Sequence, residues 1–374
     1  MGTLMIAAGG GGDAIAAAVL GAATAIDPVG IATMAWDRLL VDPLPGPRCA
    51  ADFRELTRRP GYDVVTVSTH PIAPAGSALP RLSGELDVPI VLLDPTPGAV
   101  GMREQLSSAA RDLGAEAVTL VDVGGDLIGR PGDAGLRSPL ADALTAAACT
   151  DLPARAWIAG PGLDGELPER VVLERIGDRP PRVLLTAEHW KDFLSILSWH
   201  PSEATALLAA ASLGVRGAVE IRGAGLLVPL TDLSAAVFEL PLGEVAEINP
   251  LIRPLSGSTS LAQAEQRARD VLGSTELDEE RSKAARLQRQ RPAIPDVPAA
   301  LRAFEAEARD RGADYVTFRR LGEMLGQPDM TALRTLRAEP GRAGAATSVL
   351  WDLRPRHGTG LQHPDEDPRA KEAG

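Results

Sequence analysis

The chain opens on Thr3-Leu4-Met5-Ile6-Ala7-Ala8-Gly9-Gly10-Gly11-Gly12-Asp13, and the reading of this stretch decides the fold. The apolar run 3–8 reads as a buried strand, the four glycines as a tight turn, and Ala14 to Ile26 as an alanine-rich helix. Glycine tolerates the backbone angles of such a turn and keeps side chains out of it. The first N–H groups of the helix are then left without intrahelical partners, ready for an anion. Asp13 adds a carboxylate that can cap the helix, hold a metal or accept a ligand hydroxyl.

The same order recurs downstream. Val29–Trp36, Asp63–Val67, Val88–Asp94, Ala117–Val123 and Ala154–Ala159 read as strands. Helices are expected from Val100 to Leu113, from Ser138 (as N-cap) onward, and from Pro201 to Ser212. Prolines at 43, 45 and 47 make the segment after Trp36 a rigid loop. Alternating strand, polar turn and helix predicts an α/β protein with a doubly wound, mainly parallel, Rossmann-like sheet over residues 1–182. Residues 183–290 are expected to form a smaller α+β portion that completes the site. It includes a hairpin of Val215–Ile221 and Leu226–Leu230 and a charged helical run from Ser260 to Gln290. Arg291–Pro298 reads as a linker, 299–337 as a small helical unit, and 356–374 as a disordered tail.

Composition bounds the function. Of 374 residues, 45% are hydrophobic but only 3% aromatic, so the core is built from Ala, Val, Leu and Ile. A net charge of −12 excludes a nucleic-acid binder, and no basic face is evident in 299–337. Cys49 and Cys149 match no zinc or redox spacing and are expected to be free thiols in a cytoplasmic protein. The apolar run 14–26 lacks a preceding basic residue, so no leader peptide is expected, and no segment approaches a membrane span.

The polar motifs fall after strands, where open α/β sheets bind ligands. Gly9, Gly10, Gly11, Gly12 and Asp13 form the first. Asp122 with Gly124, Gly125 and Asp126 forms the second, and Gly162, Asp164 and Glu166 the third. The first is neither a dinucleotide fingerprint nor a P-loop, since no Lys-Ser/Thr follows and Asp37 is only loosely placed for a ribose. Asp122 and Asp126, with Asp13 or Asp164, suit Mg²⁺, a hard cation that retains waters for phosphates. Asp164, Glu166 and Asp122 are the expected catalytic carboxylates. Asp37, Ser138 and Glu203 are further ligand-binding candidates, with Asp142 one helical turn from Ser138. Arg38, Arg48, Arg216 and Arg222 are candidates for holding an anion. His189 and His200 match no metal-ligand spacing and read as structural.

Several motifs together, GGGGD at 9–13, WDRLLVDPLPGP at 36–47, VDVGGD at 121–126, SPLADA at 138–143, GPGLDGEL at 160–167, SEAT at 202–205 and GVRGAVEIRG at 214–223, resemble a family known as domain of unknown function 1152. YVTFRRLGEMLG at 315–326 is similar to that family's C-terminal end, so the resemblance covers most of residues 1–330. Trp36-Asp37-Arg38 stands where the family has Trp-Glu-Arg, which keeps the acidic role. The resemblance brings no activity with it. The residues point to an enzyme that transfers or hydrolyses a group on a small phosphorylated or nucleotide- or sugar-like metabolite; the alternative is a non-catalytic regulatory protein that binds the same ligand. A homo-oligomer is compatible with either.

Overall fold

The computed structural model describes residues 2–222, 225–287, 296–325 and 349–354. The 356–374 tail, most of the 291–298 linker and residues 326–337 of the C-terminal unit lie outside them. The strands are β1 (Gly2–Ala7), β2 (Asp27–Thr33), β3 (Phe53–Arg54), β4 (Thr57–Arg59), β5 (Tyr62–Val65), β6 (His70–Pro71), β7 (Ile90–Leu92), β8 (Ala117–Val123), β9 (Ala154–Ala159), β10 (Val183–Leu184), β11 (Gly217–Ile221), β12 (Leu226–Leu230), β13 (Ala236–Pro241), β14 (Tyr315–Thr317) and β15 (Leu350–Asp352). Between them run α1 (Gly11–Ala23), α2 (Leu79–Leu82), α3 (Gly98–Asp112), α4 (Pro139–Ala148), α5 (Glu169–Ile176), α6 (Ala187–Trp190), α7 (Leu194–Leu197) and α8 (Glu203–Ser212). The later helices are α9 (Leu242–Ile248), α10 (Ile252–Leu255), α11 (Leu261–Leu272), α12 (Glu276–Leu287), α13 (Val297–Asp310) and α14 (Phe318–Met324).

The main sheet has nine strands in the order β10-β13-β9-β8-β1-β2-β7-β5-β4. Its five central strands, β9 through β7, are parallel, and each side ends in antiparallel strands. The sheet is therefore mixed, parallel in its core only. The expected strand 154–159 lies at one end of the parallel set, and β13 closes it antiparallel. From β1 the chain proceeds to β2 and β7 on one side, then returns to lay β8 and β9 on the other. That reversal opens a crevice beyond the carboxyl ends of β1 and β8.

Side-chain alternation explains why helices cover both faces. Met5 and Ala7 of β1 join one core with α1, Trp157 and the alanines of α8, while Leu4 and Ile6 join another with Met102 and Leu106 of α3 and Leu140 and Leu144 of α4. Helix α1 is small-residue-rich so that it can lie close to its neighbours: a Cβ on Gly12 would sit 2.4 Å from the Ser202 hydroxyl, and one on Gly21 2.4 Å from the Pro28 ring. The charged run 260–290 divides at Gly273, whose φ of +84° ends α11.

The C-terminal unit departs from the all-helical expectation. Its β14 pairs parallel with β11, and β15 pairs with β14, so the 215–230 hairpin and the C-terminal segment share one four-stranded sheet, β12-β11-β14-β15. Phe304, Phe318 and Trp351 form its separate core. Glu220, in the middle of β11 and wholly buried, pairs with Arg311 at 2.8 Å and Arg320 at 3.0 Å, both from that C-terminal segment. Among the described residues no helix is long and apolar enough to cross a membrane, and both cysteines are free.

Candidate functional site

A cavity of about 860 Å³ lies where the three polar turns converge. Gly9, Gly11, Gly12 and Asp13 follow β1, Asp37 and Arg38 follow β2, Asp126 follows β8, and Asp164 and Glu166 follow β9. The starts of α4 and α8 supply Ser138, Asp142 and Glu203, while Arg222, α12 and Arg319 close the remaining walls. The expectation of a shared crevice thus matches the geometry, although Gly10, Asp122, Gly124, Gly125 and Gly162 do not line it. Gly10 instead makes the turn: its φ is +123°, and a Cβ there would stand 3.1 Å from the Trp36 carbonyl oxygen.

The floor is acidic. Asp13 (first turn of α1), Asp122 (on β8) and Asp142 (first turn of α4) each offer a carboxylate oxygen, all within 4.8 Å of one another. Asp13 does not cap its helix. Its Oδ2 accepts the Gly9 N–H at 2.8 Å and so folds the turn back on itself. Asp122 Oδ1 accepts the Gly125 N–H at 3.4 Å, while Asp122 Oδ2 and Asp142 Oδ1 are buried without a partner. Burial pushes the Asp13 carboxyl up to about 7. Burial and then carboxylate neighbours push Asp122 and Asp142 well above the usual range. Asp126, expected as a metal partner of Asp122, is not in the converging set; its Oδ2 accepts the Ser138 hydroxyl at 3.4 Å.

Asp164 sits above this floor. One oxygen accepts the Glu166 N–H at 2.8 Å, the other is buried and unpartnered, and burial followed by Glu166 raises its pKa to about 7. The turn glycines exist to admit it. At Gly124 (φ +124°) a Cβ would lie 2.4 Å from the Asp164 carboxyl carbon, and the Gly162 N–H donates to the Gly124 carbonyl at 2.6 Å, locking the second and third turns together.

Two carboxylates expected to do chemistry or touch ligand are held by donors of the protein, although Glu203 Oε2 has an ion pair and no hydrogen bond. Glu166 accepts the Arg137 and Ser138 N–H groups at 2.7 and 2.8 Å and the Ser138 hydroxyl at 2.5 Å, and pairs with Arg222 at 2.8 Å. Those four donors occupy the lone-pair sites of the Glu166 carboxylate. Ser138 spends its hydroxyl there and gives α4 no side-chain cap. Glu203 accepts the Arg222 N–H at 3.0 Å and the Thr317 hydroxyl at 2.5 Å, and pairs with Arg319 at 3.3 Å. Asp37 lines the cavity, but its Oδ2 holds the Ser77 hydroxyl and Ala78 N–H, both at 3.1 Å. These three residues position the walls.

The cap that α4 lacks locally comes from a distant helix. Glu276 at the start of α12 accepts the Leu140 and Ala141 N–H groups at 2.8 and 3.0 Å. Burial lifts its pKa from 4.5 to about 8. A carboxyl whose pKa is raised by folding favours the fold below its unfolded pKa and loses that contribution as pH climbs through the folded value. The protein is therefore expected to lose thermal stability between about pH 5 and pH 8, and Glu276→Gln to flatten part of that slope. Melting curves across this range test it; an unchanged slope in the variant would assign the effect to other carboxyls.

The opposing wall is of mixed charge, with Arg38, Arg222, Lys283 and Arg319 set among Asp278, Glu279, Glu280 and Glu323. The Arg38 side chain makes no hydrogen bond or ion pair with any described residue and opens to the cavity, close enough to Arg222 and Arg319 to be repelled by both. Lys283 lies nearby, 3.7 Å from Glu323. The other two anion candidates are elsewhere: Arg48 pairs with buried Asp42 at 2.9 Å, and Arg216 with exposed Asp232 at 3.0 Å. His189 folds onto Thr186 outside the cavity, whereas His200, read as structural, lines it. The residues missed by sequence reasoning are Asp142 as a floor carboxylate, Glu276, Lys283 and Arg319. Asp142 had a signal, a lone charge in the otherwise apolar run Leu140–Ala148, every residue of which is buried.

The fold and site define a class: an α/β protein whose mixed sheet carries, at its strand ends, a cavity with an acidic floor and an arginine-rich wall. The chain belongs to the family described as Protein of unknown function (DUF1152), which matches residues 4–284. That span holds the whole acidic floor, Arg38, Arg222 and α12 to Lys283, and stops short of Arg319. No curated protein and no solved structure matches the chain.

Proposed function

We propose that the protein is an enzyme, a transferase or hydrolase, acting on a small phosphorylated or nucleotide- or sugar-like metabolite. The observation that supports this best is the pairing, at one cavity, of three converging carboxylates, two of them buried, with an arginine that has no hydrogen bond or ion pair among the described residues. Three carboxylates out of water repel one another unless protonated or bound to a cation. Oxygens up to 4.8 Å apart suit an ion with oxygen ligands at roughly 2.0–2.6 Å, because ligands on opposite sides of it lie about twice that distance apart. In this reading Asp13, Asp122 and Asp142 hold Mg²⁺, which offsets their charge and draws in phosphoryl oxygens. Arg38, backed by Lys283, takes the far side of the phosphate. Asp164, with one oxygen free and a pKa of about 7, is poised for acid–base work. The order of the parallel strands supports a doubly wound, Rossmann-like origin for the crevice.

The test is a thermal-shift screen of the purified protein against nucleotides and sugar phosphates, with and without Mg²⁺, followed by product analysis of any hit. A ligand at a hundred times its Kd is expected to add about 2.7 kcal/mol. A Mg²⁺-dependent hit that is turned over supports an enzyme. A hit that survives prolonged incubation intact makes the protein a sensor, and silence with every phosphate ends the reading.

A further inference from the structure

His200 stands at the other end of the same cavity, beside the start of α1. Its ring is held by two contacts. Nδ1 accepts the Ser202 N–H at 3.3 Å, and Trp199 packs on it edge-to-face at 5.4 Å between centroids. A nitrogen that accepts a backbone N–H carries no proton, so the neutral ring bears its hydrogen on Nε2. That Nε2 has no hydrogen-bond partner among the described residues, although His200 is only 5% exposed. It points at the glycine turn: a Cβ on Gly11 would lie 3.4 Å from it. Burial lowers the His200 pKa to about 4, which keeps the ring neutral near pH 7.

The helix it faces is open as well. α1 runs for 13 residues, and no side chain caps its N-terminus. Gly11 and Gly12 line the cavity there, and the leading N–H groups of a helix have no intrahelical acceptor. A buried donor left without an acceptor is costly, and here an uncapped helix start and an unpartnered imidazole N–H meet at one place. An oxygen-rich anion satisfies both.

We infer that His200 contacts substrate directly, its neutral imidazole donating Nε2–H to a phosphoryl oxygen seated at the N-terminus of α1. This rests on the phosphorylated-ligand reading above and adds to it a residue and a role. Arg38 supplies charge, whereas His200 supplies direction, because one N–H fixed by Ser202 and Trp199 donates to one oxygen position.

Inorganic phosphate with Mg²⁺ is the probe. In protein carrying ¹⁵N-labelled histidine, the His200 resonance is expected to show the proton on Nε2 before ligand is added and to shift on titration with phosphate. His200→Ala is expected to weaken phosphate binding about fivefold to tenfold, the scale of a single hydrogen bond, with His200→Gln, whose amide N–H reaches a similar point, recovering part. A proton on Nδ1 overturns the inference whatever the variants do. A folded His200→Ala protein that binds phosphate as tightly as the parent also overturns it and leaves the phosphate reading standing. A parent protein that binds no phosphate removes both.

Discussion

Asp142→Asn is expected to raise the melting temperature of the cation-free protein and, on the Mg²⁺ reading proposed above, to abolish the further rise expected when Mg²⁺ is added to the parent. Both changes follow from one arrangement. Asp142 is 3% exposed, its Oδ1 has no partner, and Asp122 and Asp13 add their repulsion to the effect of burial. Asparagine keeps the shape, removes a charge and offers an amide N–H to the two remaining carboxylates. Relieving an unsatisfied buried group is worth about 1–3 kcal/mol, a shift of a few degrees in a chain of this size. The cation loses a ligand and a charge together, so its affinity is expected to fall on the order of 100-fold, and turnover with it. Melting curves in EDTA and over a Mg²⁺ series check both halves. Were Asp142→Asn to destabilise the cation-free protein and leave the Mg²⁺ response intact, the floor would be a proton-sharing structural cluster.

The second large effect is a contrast between two arginines of one wall. Arg38→Ala is expected to leave the stability within about 0.5 kcal/mol of the parent, since the side chain has no hydrogen bond or ion pair among the described residues. The same change is expected to weaken a phosphorylated ligand by about 1.5–3 kcal/mol, the range for a hydrogen bond to a charged group. Arg222→Ala acts the other way round. It strips the cation from Glu166, whose side chain is 1% exposed, and a buried charge left unpaired costs about 3–5 kcal/mol. Chemical denaturation of both variants alongside ligand titration separates the two roles. Equal loss of stability in both would mean that Arg38 belongs to the scaffold.

Much of this arrangement was legible from the residues alone. The strand, glycine turn and helix at 2–23 follow from apolar patterning and from the backbone freedom that Gly10 uses. The convergence of three polar turns follows from the α/β rule that strand ends meet at one edge. The limits were contacts between segments distant in sequence. Glu276 reaches α4 across more than 130 residues, and no local pattern announces a helix capped from so far away. Glu166 looked like a reactive carboxylate because its motif lies in a turn, and Glu203 like a ligand contact at a helix start; only the fold reveals the donors that hold them. The C-terminal unit read as helical because α13 is strongly amphipathic, whereas β14 is three residues long and is held by β11.

The pairing of β11 with β14 also carries a consequence for the birth of the protein on the ribosome. When Ile221 has emerged, the strand that will cover its open edge, beginning at Tyr315, has not been made. At roughly 5–20 residues per second, the interval lasts on the order of five to twenty seconds. An exposed strand edge invites association with other chains for that long. Glu220 stands in the middle of that strand without its later partners, Arg311 and Arg320. The side chain that ends as a buried ion-pair hub therefore spends its first seconds as a solvated negative charge, which discourages a neighbouring nascent chain from pairing there.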